Sequence, residues 1–359
     1  MSPPKPDSSE RVVVGILYPP VWYGDPDGFK REVADLEQMD PRVEVVVEAY
    51  EEPHSLRSAR GKPHDETLRA EAPALTDAQR AAFGRLNVAI AIDLPFDVAS
   101  VAPSLRWVQA VGAGTGQLQS AGLREAGITL TTSAGSNAVA IAEFALGRLI
   151  QDAKRFREIE ALQAKHEWDP LYGIQLAGTT LGLIGLGAIN SAVAARAKGM
   201  EMRVLATRQS AKPGATAPNA DRVYPTGDLH EMLAECDAVI AAVPETPATE
   251  GMIGAAEIAA MKPGAWFCNV GRGSLLDEAA LIAALESGHL RAAALDVASA
   301  EPLPADHPLW DAPNLYLSYH CASSPSALFA NLHRLVRDNL ARYLAGEPLR
   351  NEVDLARGY

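Results

Sequence analysis

The chain has 359 residues and a formal net charge of -13, and this length suggests two domains rather than one. Its three cysteines show no close paired spacing, which predicts reduced thiols and neither a disulfide framework nor a metal site. The acidic balance disfavours nucleic acid as a partner, and no apolar run approaches the ~20 residues of a membrane span. We therefore expect a cytoplasmic protein without membrane contact, with a flexible tail at residues 1–10.

Short, nearly all-apolar runs alternate with helical patterns in the first part of the chain. Such runs are typical of strands buried on both faces of a parallel sheet. They lie at residues 11–17, 43–47, 86–92, 105–111 and 128–132. This alternation predicts a doubly wound α/β domain.

Residues 51–74 interrupt the alternation with a long, charged, proline-containing segment. A loop of this length is either a surface insertion or a mobile functional segment. In the second interpretation it is a lid whose Arg57, Arg60 and Lys62 reach an anionic substrate.

A second α/β domain is predicted to follow a long helix that spans residues 138 to about 165. Its first strand lies at residues 180–184. Later strands are predicted at residues 203–206, 238–242, 265–269, 292–295 and 315–318.

A last helix begins at Pro325 and ends at Gly346, with leucines spaced to give one apolar face. Because no further strand follows, we infer that this helix returns to pack on the N-terminal domain. That domain is then discontinuous and comprises residues 11–147 plus 323–359, the substrate-binding part. Residues 148–322 form the dinucleotide-binding domain.

A glycine-rich turn, Gly185-Leu-Gly187, lies between a strand pattern and a helical pattern. Glycine permits the tight turn, and the N-terminus of the following helix offers unpaired N–H groups to a pyrophosphate. Asn190 stands where a third glycine normally allows close packing of helix and strand, which predicts a slightly displaced helix. The turn residues predicted to bind a dinucleotide are Gly185, Gly187, Ala188, Ile189 and Asn190.

The end of the next strand carries the signal for cofactor preference. An enzyme that uses NAD usually has Asp or Glu there, about 20 residues past the turn, bound to the ribose hydroxyls. This chain has Thr207, Arg208, Gln209 and Ser210 instead. A guanidinium pairs well with a 2′-phosphate, so we predict preference for NADP(H), with NAD possible. A solvated surface arginine is the alternative interpretation of Arg208.

Several motifs in a fixed order resemble the D-isomer-specific 2-hydroxyacid dehydrogenase family, in particular its NADP-preferring glyoxylate/hydroxypyruvate reductases. The matching segments are residues 181–189, 261–273, 277–285, 293–297 and 301–304, with a weaker match at 105–114 and 137–143. The resemblance implies two Rossmann-like doubly wound parallel-sheet domains with the active site in the cleft between them. It also implies a homodimer formed through the cofactor domains.

Three residues are of the types needed to reduce a 2-oxo acid. Arg272 can bind the carboxylate and polarise the carbonyl, His320 can donate a proton, and Glu301 can fix the imidazole and favour its charged form. The resemblance assigns the same roles to these positions. The alternatives are a helix cap or a structural ion pair for Arg272 and an exposed loop carboxylate for Glu301. His320 has two unusual neighbours, Tyr319 and Cys321, where the family commonly has proline and a small aliphatic residue.

Further contacts are implied by the resemblance alone. Asp296 would bind the nicotinamide amide, and the alternative is a structural aspartate at the end of the strand. The backbone of Ala113 and Gly114 would hold the substrate carboxylate. The remaining cofactor contacts implied are Val243, Pro244, Thr249, Val270 and Gly271.

These observations predict an oxidoreductase that transfers a hydride between NADP(H) and a 2-oxo or D-2-hydroxy acid. One alternative is a catalytically idle protein that senses a nucleotide and binds a partner through the same fold. A second alternative is a related enzyme that oxidises a substrate without a carboxylate. The small-molecule substrate itself is left open among glyoxylate, hydroxypyruvate and larger keto acids.

Overall fold

The computed structural model describes residues 3–60, 66–212 and 214–355. The chain divides into two compact units. The first unit combines Met1–Ser136 with Pro325–Tyr359, and the second unit is Asn137–Ser324.

The boundary between the units differs from the predicted one, which lay between residues 147 and 148. That point falls inside a helix, Ala138–Ala153. The buried residues Ala142, Ala145 and Leu149 of this helix belong to a core of the second unit. The whole helix therefore lies in the second unit, and the first unit ends at Ser136.

The first unit is built on a parallel sheet. Its strands are β1 Val12–Ile16, β2 Val43–Val47, β3 Val88–Ala91, β4 Trp107–Ala110 and β5 Thr129–Thr131. They pair in the order β2-β1-β3-β4-β5. The helices are α1 Pro26–Glu37, α2 His54–Arg60, α3 Asp77–Phe83, α4 Val98–Val101 and α5 Gly116–Gln119. All five predicted strands are confirmed.

The strands of this sheet are buried on both faces, as their unbroken apolar sequences predict. In β1, Val13 packs in one hydrophobic cluster. Its neighbours Val12 and Val14 pack in another cluster. Helices cover both faces, so the carboxyl ends of the strands are the part of the sheet that is left to bind a ligand.

Residues 51–74, predicted to be a loop, contain helix α2 and a 3₁₀ turn. Arg57 and Arg60 of α2 each hold a buried acid of the same unit. The structure therefore contradicts the lid interpretation for these two arginines, because their charges are already paired. Lys62 lies outside the described residues.

Residues 3–10 also differ from the predicted flexible tail. Pro3 and Pro6 are buried. The guanidinium of Arg42 donates to the carbonyl of Asp7 at 3.1 Å. These contacts hold the segment against the first unit.

The second unit has a larger parallel sheet. Its strands are β6 Thr180–Ile184, β7 Arg203–Thr207, β8 Arg222–Tyr224, β9 Ala238–Ala241, β10 Ala265–Asn269, β11 Leu290–Leu295 and β12 Leu315–Leu317. They pair in the order β12-β11-β10-β9-β6-β7-β8. The helices are α6 Ala138–Ala153, α7 Phe156–Lys165, α8 Ala188–Gly199, α9 Leu229–Leu233, α10 Ala255–Ala260 and α11 Glu278–Glu286.

Two features of the second unit differ from the sequence prediction. The single helix predicted up to residue 165 is two helices, because Arg155 adopts a left-handed conformation with φ 57°. The carbonyl of Ala153, at the end of α6, accepts the N–H of Ile174 at 2.8 Å. This bond to the segment after α7 takes the place of a hydrogen bond within the helix. The short strand β8 was not predicted.

The last helix, α12 Pro325–Ala345, packs in the first unit. Its residues Phe329, Leu332, Val336 and Leu340 share a hydrophobic cluster with residues of β1 and β3. This packing is the return to the N-terminal domain that the lack of a further strand predicts. Within the described parts of the chain, no helix is long and apolar enough to cross a membrane.

Candidate active site

The glycine turn follows β6 directly and opens helix α8. Gly185 has φ 83°, and a side chain there would also collide with Val243, so only glycine fits. A Cβ on Gly187 would meet open space. Gly187 precedes α8 without any side-chain cap, so the first N–H groups of the helix can bind an anion.

Asn190 ties α8 to the end of β6. Its side chain is fully buried. The amide donates to the carbonyl of Ile184 at 3.0 Å and to that of Gly185 at 2.7 Å. The amide thus fills the gap between helix and strand that a glycine at this position would leave room to close. Its two hydrogen bonds fix the shape of the turn.

The end of β7 lies against this turn. Thr207 is buried, and its hydroxyl oxygen accepts the N–H of Gly185 at 2.9 Å. The guanidinium of Arg208 donates to the carbonyl of Leu186 at 3.3 Å. Arg208, Gln209 and Ser210 are exposed. Thr207 therefore braces the glycine turn, while an exposed cation stands beside it.

The loop after β9 is closed on itself by Thr249. Its hydroxyl donates to the carbonyl of Pro244 at 2.7 Å and accepts the N–H of Thr246 at 2.9 Å. Val243 packs against Gly185 at the start of this loop. The loop is thereby held beside the glycine turn with Pro244 exposed.

Arg272 is positioned by the loop after β10. The side chain of Asn269 accepts the N–H of Gly271 at 2.9 Å and donates to the carbonyl of Arg272 at 2.8 Å. A Cβ on Gly273 would overlap the carbonyl of Ala298, so only glycine allows the loops after β10 and β11 to meet. Buried Val270 precedes this turn.

Glu301 and His320 form a hydrogen-bonded pair. The Nδ1 atom of His320 lies 2.9 Å from Oε2 of Glu301. The other carboxylate oxygen of Glu301 accepts the N–H of Ala298 at 3.1 Å. The side chain of His320 is half exposed, so its Nε2 atom is left for a ligand.

The pKa of Glu301 lies below its ordinary value. Burial raises this pKa, whereas the hydrogen bond from His320 and the charge of that imidazole lower it. The N–H of Ala298 and the charge of Arg272 add to the lowering. Glu301 is therefore ionised at neutral pH and places a negative charge against the imidazole of His320.

Asp296, at the end of β11, anchors the loop that carries His320. Its Oδ1 accepts the hydroxyl of Ser318 at 2.7 Å and the N–H of Cys321 at 3.0 Å. Its Oδ2 accepts the N–H of Ala322 at 2.9 Å, and its carbonyl accepts the N–H of His320. Because His320 has φ 56°, these bonds stabilise a backbone conformation that non-glycine residues seldom adopt.

Sequence reasoning missed two supports of this arrangement, Asn269 and Ser318. Each is a polar residue at or just after the carboxyl end of a buried strand, which is the only signal that the sequence offers. Their partners are set by the fold. In the first unit, Ala113 and Gly114 are exposed after β4. The described residues contain no group of His, Cys, Asp and Glu side chains arranged to hold a metal ion.

Residues 146–322 match the family model for the D-isomer specific 2-hydroxyacid dehydrogenase, NAD binding domain. The chain is also 34% identical over 258 residues to the glyoxylate/hydroxypyruvate reductase B of Citrobacter koseri. That alignment covers 70% of this chain and 79% of the relative. The chain belongs to the D-isomer specific 2-hydroxyacid dehydrogenase family. The resemblance predicted from the motifs is therefore confirmed.

Another relative within this dehydrogenase family is the D-3-phosphoglycerate dehydrogenase of Archaeoglobus fulgidus. It is 31% identical over 262 residues, which cover 72% of this chain and 49% of the relative. The chain thus spans about half the length of the phosphoglycerate dehydrogenases that it matches.

A solved structure in the family is similar along nearly the whole chain. It is the NADPH-dependent glyoxylate/hydroxypyruvate reductase of Sinorhizobium meliloti in complex with NADP and sulfate. The TM-score is 0.74 at 26% identity, with 98% of this chain and 100% of that chain covered. The predicted architecture of two parallel-sheet α/β units is confirmed.

Proposed function

We propose that this 2-hydroxyacid dehydrogenase family member transfers a hydride between NADP(H) and a 2-oxo or D-2-hydroxy acid. The observation that carries the proposal is the pair formed by His320 and Glu301 at 2.9 Å, with the charge of Arg272 acting on the same carboxylate. A cation, a carboxylate and an imidazole at the carboxyl edge of a dinucleotide-binding sheet are the groups that this reaction requires. A protein that only senses a nucleotide needs none of them.

Each of the three residues has a defined task in this proposal. Arg272 binds the substrate carboxylate and stabilises negative charge on the carbonyl oxygen as it develops. His320 gives a proton from Nε2 to that oxygen during reduction and takes it back during oxidation. Glu301 accepts the Nδ1–H of His320 and thereby sets the orientation of the imidazole. The backbone N–H groups of Ala113 and Gly114 bind the substrate carboxylate.

The second unit fits a dinucleotide. The uncapped start of α8 and the open space at Gly187 suit a pyrophosphate, and Ala188 and Ile189 supply the first N–H groups of the helix. When bound, the nicotinamide supplies or accepts the hydride. Further contacts proposed for the cofactor are Val243, Pro244 and Thr249 at the adenine side, and Val270, Gly271 and Asp296 at the nicotinamide side.

Asp296 can serve the cofactor while it anchors the His320 loop. A carboxylate has about four acceptor positions, and three are used by Ser318, Cys321 and Ala322. The remaining position on Oδ2 is available for the nicotinamide amide. Asn190 and Thr207 have supporting roles, because both are buried and fix the glycine turn.

Preference for NADP(H) rests on Arg208. Its guanidinium is exposed beside the glycine turn, and neither Gln209 nor Ser210 provides the carboxylate that NAD enzymes place here. A guanidinium forms charge-assisted hydrogen bonds with a phosphate, and Ser210 can add a hydroxyl donor.

We expect reduced-cofactor oxidation with 2-oxo acids to be faster with NADPH than with NADH, and Arg208→Asp to reverse this order. The variant places a carboxylate where a 2′-phosphate would bind, and charged hydrogen bonds of this kind change affinity by about 10- to 100-fold. The measurement is kcat/KM for both cofactors, followed by the absorbance of the reduced nicotinamide.

Arg203→Ser is the matched control, since it removes a cation from the opposite end of the same strand. Unchanged cofactor preference in Arg208→Asp would contradict the assignment of the 2′-phosphate. Tight NADPH binding by the unaltered protein without turnover of any 2-oxo acid would favour the sensing protein instead.

We also propose that the protein is a homodimer formed through its second unit. None of the residues of α7, Phe156–Lys165, is buried. Isolated helices of this length are marginal in water, so such a helix needs a partner. Among the described residues, six large apolar side chains within positions 139–174 are exposed: Val139, Phe156, Ile159, Trp168, Tyr172 and Ile174.

Trp168→Glu is expected to convert the dimer into a monomer. The tryptophan is fully exposed in a single chain, and buried tryptophans are frequent energetic centres of interfaces. Sedimentation velocity measures the change in mass. Val21→Glu, an exposed apolar residue of the first unit, is the control and should stay dimeric. A Trp168→Glu protein that remains dimeric would place the interface elsewhere.

A further inference from the structure

The loop that follows β3, residues 93–97, is held by three arginines from residues 51–74, the segment between β2 and α3. β3 pairs with β4, so this loop leaves the same edge of the sheet as the loop that carries Ala113 and Gly114. Ligands of parallel α/β sheets bind at that edge. The loop at 93–97 is therefore placed to meet the substituent of a substrate whose carboxylate lies on Ala113 and Gly114.

Arg57 holds the first residue of the loop. Its Nε donates to Oδ1 of Asp93 at 2.7 Å, and its Nη2 donates to Oδ2 at 2.5 Å. Asp93 is fully buried and also accepts the N–H of Glu52 at 3.0 Å. This two-pronged contact uses the geometry in which a guanidinium binds a carboxylate most strongly.

Arg60 holds the middle of the loop from inside the unit. It forms a buried ion pair with Glu52 and donates to the carbonyl of Leu94 at 2.7 Å. It also donates to the hydroxyl of Ser120 at 2.8 Å. Its guanidinium lies 3.9 Å from the ring centre of Phe96. Burial raises the pKa of Glu52, and the charge of Arg60 opposes this rise without cancelling it.

Arg69 holds the end of the loop. It forms an ion pair with Asp97, and its guanidinium lies 5.0 Å from the ring centre of Phe96. The described part of residues 53–71 contains no further lysine or arginine. Each of its three cations therefore faces an acid of its own: Arg57 with Asp93, Arg60 with Glu52, and Arg69 with Asp97.

We propose that this edge of the sheet accepts an uncharged substituent, so that the substrate is a 2-oxo monocarboxylate and not a phosphorylated one. The inference rests on the proposed function. It chooses between the substrates of two groups of relatives, the glyoxylate/hydroxypyruvate reductases and the D-3-phosphoglycerate dehydrogenases. The three arginines are counter-ions that brace the loop and hold the ring of Phe96. They have no spare charge for a phosphate.

Two physical effects disfavour a phosphate at this edge. Each acid there is already paired with an arginine, so the three ion pairs offer a phosphate no net positive charge. Binding it with Arg57 would instead take that arginine from Asp93 and leave a fully buried carboxylate unpaired, which is strongly unfavourable.

The test compares two reduced acids that differ only by the phosphate, D-glycerate and 3-phospho-D-glycerate. Each is titrated into the protein–NADPH complex and followed by NADPH fluorescence. Because acid and cofactor are both already reduced, the measurement needs no turnover. D-glycerate is expected to bind at least about tenfold more tightly. Equal or tighter binding of the phosphorylated acid, or binding of neither acid, would overturn the inference.

This design separates the inference from the proposed function. Failure of all 2-oxo acids to turn over would count against the proposed reaction while the binding ratio is still measured. Turnover combined with preference for 3-phospho-D-glycerate would leave the reaction standing and remove only the inference.

Two variants test the role of the ion pairs. Asp93→Asn leaves Arg57 without its acid, and Asp97→Asn weakens the exposed pair with Arg69 at little risk to folding. Asp93→Asn is expected to shift the binding ratio about tenfold towards the phosphorylated acid, and Asp97→Asn to shift it in the same direction. The control Asp40→Asn frees Arg42 just before β2, at the opposite edge of the sheet, and should leave the ratio unchanged.

Thermal unfolding shows whether Asp93→Asn is folded. If it is not, the inference is judged from the binding ratio of the two acids in Asp97→Asn and in the unaltered protein. An unchanged ratio in every folded variant at these two positions would overturn the counter-ion role.

Discussion

His320→Ala is expected to lower kcat for reduction of a 2-oxo acid by about 10²–10⁴-fold, the usual contribution of a positioned proton donor. The dissociation constant for NADPH should hardly change. The imidazole is half exposed and is bound through Nδ1 to Glu301, so its Nε2 is free to serve the substrate. Steady-state kinetics and a cofactor titration measure the two quantities separately.

The second unit offers a closely matched control for this prediction. His230 and Glu257 form another pair at 2.9 Å with similar exposure, 56% and 23% against 51% and 31% for His320 and Glu301. His230→Ala removes an equivalent histidine–glutamate contact and should leave kcat unchanged. Near-normal turnover in His320→Ala, or an equal loss in His230→Ala, would contradict the role of His320 as proton donor.

The strands could be predicted because strands buried on both faces appear in the sequence as unbroken apolar runs. A strand such as β1, covered on both faces, has to be apolar throughout, and such runs stand out between helical patterns. Strand β8 was missed because its short run begins with Arg222, which is exposed at the edge of the sheet, so no continuous apolar run marks it. The break after α6 was missed because it depends on the left-handed conformation of Arg155. An arginine in the sequence gives no sign of that conformation.

The positions of the candidate site were also accessible from sequence, since they lie in motifs of fixed order. Their partners were not, because most are far apart in the chain. The amide of Asn190 could not be assigned to two carbonyls, nor Asp296 to the loop that carries His320, before the fold placed them together. The same reason explains Arg57, which looked available for a substrate until the fold placed Asp93 against it.

Glu301→Gln is expected to lower kcat/KM for reduction by about 10²-fold and to move the basic limb of its pH profile towards lower pH. In the unaltered protein two donors, the N–H of Ala298 and the imidazole of His320, each use one carboxylate oxygen. Glutamine has only one acceptor oxygen, so one of these bonds becomes a contact between two donors. The imidazole therefore loses its fixed orientation as well as its counter-charge.

The direction of the pH shift follows from the lowered pKa of Glu301. Burial raises that pKa, and His320, Ala298 and Arg272 together lower it by more, so the carboxylate is charged throughout the neutral range. Its charge favours the imidazolium, which is the form that reduces the 2-oxo acid. Without that charge the imidazolium loses its counter-charge, and reduction is expected to decline at a lower pH.

Oxidation of the hydroxy acid provides the opposing readout, because it requires the neutral imidazole. In Glu301→Gln the acid limb of the pH profile for oxidation should also move towards lower pH. The rate of oxidation at low pH then rises relative to the rate of reduction. The control Glu257→Gln alters the matched pair with His230 and should leave both profiles in place. Two unchanged profiles in Glu301→Gln would show that Glu301 only orients the imidazole, because a fixed contact without charge coupling changes the rate and not its dependence on pH.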